Sequence, residues 1–302
     1  MATRLEAATP LTPAASPAAV RAGRSPAAEF LQRLLGMRLA RVGGAIVLVV
    51  GLAALLAVVA APYSPTQQDI RNLLQPPGPS HPFGTDELGR DTLTRVLYGA
   101  QASLEVGIIA VGISLLVGCG LGLVAGYLRG LADATIMRVM DGLLALPTLV
   151  LALAITAMLG PGLNNAMIAI GITGVPVFAR LVRGQVLSVR ELEYILATRS
   201  VGAPDGRIML RHILPNVLAP IVVQASLAMP TAILAEAGLS FLGLGVQPPT
   251  ASWGAMLNTA KGYLQQDPWL AVAPGTAIFV TMLGFNFLGD AIRDALDPRL
   301  RG

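Results

Sequence analysis

Glu236 stands inside the run ILAEAGLSFLGLG, where a carboxylate among leucine, isoleucine and alanine must be paired, hydrated or put to use. In a bilayer such a group could carry a proton or line a wet path. Ser240, four residues on in GLSFLG, has the local look of a serine nucleophile, with Phe241 beside it. Acyl-transfer chemistry needs a histidine base within reach, and neither His81 nor His212 falls in an apolar run long enough to span a membrane. The stretch TDELGRD gathers Asp86, Glu87 and Asp91 without the ligand spacing of a calcium loop, so it reads as a turn into a helix, capped by Thr85 with Leu88 at the turn. ATP hydrolysis through a P-loop is excluded more firmly. A P-loop needs glycine-rich backbone followed by Lys-Ser or Lys-Thr, and the single lysine, Lys261, sits in NTAKGYL. No catalytic residue, metal set or cofactor is expected in this chain.

The elements that hold these residues are apolar. Of 302 residues 54% are hydrophobic and only 13% charged, about half the share usual in a soluble domain, which makes the bilayer the first expected partner. The net charge of +4 forms no clustered basic stripe, so no nucleic acid is expected. Residues 1–28, rich in Ala, Pro, Ser and Arg, predict a disordered cytoplasmic tail. Residues 29–42 predict an amphipathic interfacial helix, with Leu31, Leu34 and Leu35 opposing Arg33, Arg38 and Arg41. A first transmembrane helix is expected over 43–62, because 19 uncharged residues give about 28 Å of helix. A Pro- and Gly-rich extracytoplasmic loop follows over 63–100, then a membrane-embedded helical core over 101–292. Within it the second span covers 106–128, a third and fourth form a hairpin around LGPGLNN, the fifth begins at Ile213 and passes Glu236, and the sixth covers 268–289. A cytoplasmic tail is expected over 293–302. The fold class is therefore all-α: a polytopic membrane protein of six transmembrane helices with both termini cytoplasmic. With that topology 17 of the 21 Lys and Arg face inward, leaving Arg71, Arg90, Arg95 and Lys261 outside.

On the inner side, ELEYILATRSVGAPDGRIMLRHILPN (191–216) interrupts the apolar pattern. A short helix is expected to end at Gly202 in the left-handed conformation, followed by a second that starts at Pro204 and Asp205, runs to about Arg211, and is broken by Leu214-Pro215-Asn216. Tyr194, Ile195, Met209 and Leu210 would give this elbow an apolar surface, suited to docking in a groove on another protein. An ordinary solvated loop is the alternative.

This stretch is similar to the cytoplasmic EAA loop of bacterial ABC importer permeases. Leu196-Ala197-Thr198 occupies the Glu-Ala-Ala position, Gly202 the glycine, and Ile213-Leu214-Pro215 the end of the pattern; Leu196 replaces the family's Glu. HPFGTDELGRDTLTRVLYGAQASL, AEAGLSFLGLGVQPPTASWGAML and the closing DALDPRL resemble the C-type permeases of dipeptide and oligopeptide importers, a group that includes nickel and glutathione systems. The resemblance covers nearly everything after residue 38 and implies the ABC importer type I permease fold in the bacterial inner membrane. It implies coupling to an ATPase through Glu193, Tyr194, Ala197, Arg199, Gly202, Ala203, Asp205, Arg207, His212, Leu214, Pro215 and Asn216. It also implies a B-type permease forming a heterodimer, two ABC ATPase subunits holding ATP and Mg, and an extracytoplasmic substrate-binding protein. Glu236, Ser240 and Phe241 are expected at the translocation path or its gate. Gly118, Gly122, Gly126 and Gly130, every fourth residue, are expected to bring two helices into close packing. A stand-alone ion-coupled transporter or intramembrane enzyme is the alternative, weakened by the absence of a clear inverted repeat.

Overall fold

A computed structural model describes residues 26–296. The disordered tail expected over 1–28 lies outside them except for its last three residues, which are helical; of the tail expected over 293–302, residues 293–296 are described and are helical. Among the described residues there is no strand, as hydrocarbon demands of a chain whose backbone must satisfy its own hydrogen bonds. Among the described residues five helices are long and apolar enough to cross a membrane, and a bent pair brings the total to six if it forms one span.

The helix expected over 29–42 is divided differently. α1 (Pro26–Gly36) ends at a glycine, Met37 is extended, and α2 (Arg38–Ala60) starts at once, so Arg38 and Arg41 belong to the first span. α3 (Thr92–Leu128) begins inside the loop expected to reach residue 100; its 37 residues make about 55 Å of helix, more than the hydrocarbon requires. Its cap is Asp91, whose carboxylate accepts from the Thr94 N–H at 2.8 Å. Thr85 is not the cap, because its hydroxyl instead donates to Asn72 O and accepts from Gln75 N. Asp86 is the hub of this loop, accepting from the N–H groups of Leu88 and Arg90 and from Arg90 Nε at 2.6 Å. Burial, then the adjacent Asp86 charge, pushes the Glu87 carboxyl above its ordinary range.

The third span is broken. α4 (Gly130–Leu144) and α5 (Thr148–Leu159) meet at 93°, because Pro147 has no N–H to continue the ladder and disfavours helix at Leu146. α5 alone is about 18 Å long, too short to cross, so the expected simple hairpin becomes a bent segment leading into α6 (Leu163–Val189). α7 (Glu193–Ser200), α8 (Asp205–Arg207) and α9 (Leu214–Phe241) follow, then α10 (Trp253–Ala260), which the sequence pattern did not disclose, and α11 (Trp269–Leu296).

The most buried of these helices is α6, and α3 lies directly on it. Contact is this close because a Cβ at Gly118 would fall 2.6 Å from Phe178 Cβ, one at Gly126 2.8 Å from Val186 Cβ, and one at Gly122 against Ala179 O. From the other side, Gly171 of α6 meets Ile113 and Gly174 meets Ser114. Gly130 has no part in this contact: it starts α4 with nothing near it, at a φ of 58°. The four-residue repeat therefore ends where the helix does.

Candidate functional site

The polar elbow is built from the inside outward. Ile195 of α7 and Ile208 and Ile213 beyond it are fully buried, packed with Leu123 and Tyr127 of α3, Val182 and Val186 of α6, and Val217. Each such side chain contributes about 1.5–3 kcal/mol of burial, enough to hold the elbow firmly on the helix ends. Ile195, expected on the apolar outer surface, is thus an anchor. Polar bonds repeat the tie: Tyr127 donates its hydroxyl to Asp205 Oδ1 at 2.6 Å, and Arg190 Nη1 donates to Tyr127 O at 2.6 Å. The Arg199 guanidinium lies 5.4 Å from the centre of the Tyr127 ring, and the Tyr127 hydroxyl raises its pKa above the ordinary arginine value.

α7 closes by the two bonds of a Schellman ending, Ala203 N–H to Thr198 O and Gly202 N–H to Arg199 O, with Gly202 at a φ of 77°. The second short helix is not separate. α8 passes through a π turn (Ile208–Ile213) into α9, so Asp205–Phe241 is one 37-residue helix. Pro215 does not break it, because it sits in the first turn of α9, where the wider π turn absorbs the missing N–H.

Of the elbow residues singled out above, Glu193, Tyr194, Ala197, Arg199, Gly202, Asp205, Arg207, Pro215 and Asn216 are exposed; Ala203, His212 and Leu214 are half-buried. Exposed with them are apolar side chains that no solvated loop requires: Leu196, Leu210 at 64% and Val201 at 83%. Composition alone could not separate these from the three isoleucine anchors. Their positions on the helix turn decide it.

Glu236 is completely buried at the far end of α9 and accepts hydrogen bonds from Ser240 Oγ at 2.7 Å and Ser103 Oγ at 3.3 Å. Ser240 also accepts from Val246 N–H, so its hydroxyl is committed to structure and has no histidine beside it. Phe241, partly exposed, lies under the Lys261 ammonium at 5.4 Å. A cavity of about 890 Å³ opens between α3, α6, α9 and α11, lined from α9 by Gln224, Ala228, Ala232, Ala235 and Ala237 among others, while Glu236 bonds to Ser103 of α3. None of Glu236, Ser240 and Phe241 lines it. Among the described residues no cluster of His, Cys, Asp and Glu could hold a metal.

Residues 118–302 match the family model described as binding-protein-dependent transport system inner membrane component, and residues 25–77 match the N-terminal TM domain of oligopeptide transport permease C. The chain is 48% identical to the dipeptide transport system permease protein DppC of Alkalihalophilus pseudofirmus, over 92% of this chain and 91% of that one. Identity is 46% to the di/tripeptide transport system permease protein DppC of Pseudomonas aeruginosa, with 92% and 93% covered. It is 44% to the glutathione transport system permease protein GsiD of Pectobacterium atrosepticum, again with 92% and 93% covered. A solved chain of the MetNI methionine ABC transporter, inward facing, shares the fold at a TM-score of 0.55 and 18% identity, covering 67% of this chain and 96% of that one.

Proposed function

Because this chain belongs to the binding-protein-dependent transport system inner membrane components, as a C-type permease of the dipeptide and oligopeptide kind, we propose that it forms half the translocation path of an ATP-driven peptide importer. It is a multi-pass protein of the bacterial inner membrane. The other half of the path is a B-type permease; two ATPase subunits holding ATP and Mg dock at the 191–216 elbow on the cytoplasmic side, and a substrate-binding protein delivers cargo to the opposite face. This chain does no bond chemistry of its own. Names of relatives that carry dipeptides, tripeptides or glutathione support a small peptide as cargo.

One observation carries the coupling role: the elbow is anchored inwardly by Ile195, Ile208 and Ile213, displays Tyr194, Leu196, Val201 and Leu210 outwardly, and from Asp205 runs without a break into α9. A push on that second arm is not absorbed by a loop. It moves a helix that lines the 890 Å³ cavity, as switching by rigid helix shifts requires. The test is Gly202→Val in the assembled importer. No atom stands within 4 Å of a Cβ there, so the effect is one of backbone strain at positive φ, about 1–2 kcal/mol. Membrane insertion and ATP hydrolysis should persist while uptake per ATP falls severalfold; uptake equal to wild type would refute the coupling role.

A further inference from the structure

The cavity wall has an uneven chemistry. None of its lining side chains is ionisable. Its hydroxyl groups are mostly spent on backbone: Ser114 donates to Gly171 O at 2.7 Å, Thr173 to Ile170 O at 2.8 Å and Thr231 to Ala228 O at 2.7 Å. Thr148, at the start of α5, lies at the margin with its hydroxyl in none of the hydrogen bonds among the described residues. Gln224 is different. Its half-buried amide takes part in none of the hydrogen bonds among the described residues, and it sits in α9 between Pro220 and Pro230, deep in the span. That amide faces the cavity with its donors and acceptor open to whatever polar group enters.

We propose that Gln224 is the wall residue that hydrogen-bonds passing cargo, reading the peptide unit itself, while the uncharged wall leaves the cargo's side-chain charge unselected. The proposal rests on the reading of this cavity as part of the path. A carboxamide offers two N–H donors and one carbonyl acceptor, the complement of a peptide's C=O and N–H. It can therefore take part of the place of the water a small peptide gives up, for any sequence. A fixed charge in the same place would favour cargo of opposite sign and slow its release. The match of a neutral wall with a single amide is what a carrier of chemically varied peptides needs.

The experiment uses the complete importer in proteoliposomes, with neutral, lysine-containing and aspartate-containing dipeptides matched in affinity for the binding protein. Gln224→Leu keeps the size and removes donors and acceptor; uptake of all three should fall at least fivefold. Gln224→Glu should raise the ratio of cationic to anionic uptake about fivefold, and Gln224→Arg should lower it as much, the scale set by a unit charge about 8 Å away in water. If neither charged variant moves the ratio, cargo does not pass Gln224 and the proposal fails. If all variants lose co-purification with the partner permease, the amide is a subunit contact and the proposal also fails. Absence of ATP-dependent uptake in the wild-type complex would instead overturn the importer reading itself.

Discussion

Glu236 shows how much residue type leaves open. A carboxylate in an apolar run announces itself in the sequence, but its role depends on which side of α9 it occupies, and that is set by the neighbours. Ser103, more than a hundred positions earlier, and Ser240 supply its partners. Both partners are neutral hydroxyls, so the charge and the shape can be tested separately. Glu236→Gln keeps an acceptor for the two hydroxyls and should leave uptake within about twofold of wild type. Glu236→Ala strands both hydroxyls and opens a void, which should cost about 2–4 kcal/mol, read as a lower unfolding temperature of the purified complex. A tenfold loss of uptake in assembled Glu236→Gln would restore a functional charge. Gln224 is the opposite case: nothing in its local sequence distinguishes it, and its importance comes from a lining position and an unmet amide.

At the scale of elements, the glycine repeat was legible because small residues every fourth position mark one helix face, and Gly118, Gly122 and Gly126 do bear on α6. The repeat does not disclose which helix receives them, nor that Gly130 is outside the contact. Gly120 of the same helix faces open space. Gly122→Val should therefore destabilise by about 1–3 kcal/mol through overpacking against Ala179 and Val182, while Gly120→Val should be nearly neutral. Comparable yields and unfolding temperatures for the two variants would contradict the packing described. The elbow was also half legible. Turn residues disclosed Gly202, but Pro215 suggested a break where the chain continues, because a π turn is a tertiary accommodation with no sequence signature of its own.

At the scale of the whole molecule, the proposed docking of an ATPase falls on the exposed elbow residues. Leu196 stands at the position of the Glu in the EAA pattern, and it is exposed together with Val201 and Leu210, so under the proposed reading the grip is apolar. Leu196→Asp combined with Val201→Asp should leave the fold intact, since neither side chain is buried, yet weaken retention of the ATPase about tenfold or more in co-purification. Full retention would place the docking surface elsewhere. The sequence by itself determined the membrane character, the polar elbow and the exclusion of a P-loop, because each depends only on composition and spacing along the chain. Tertiary structure alone decided that Glu236 is bonded inward, that Ile195 anchors while Leu196 is displayed, that α9 is continuous with the elbow, and that Gln224 meets the cavity. Those facts turn on which face of a helix meets which neighbour. A few tens of degrees of rotation about the axis separate a buried side chain from a lining one, and only packing against distant segments sets that angle.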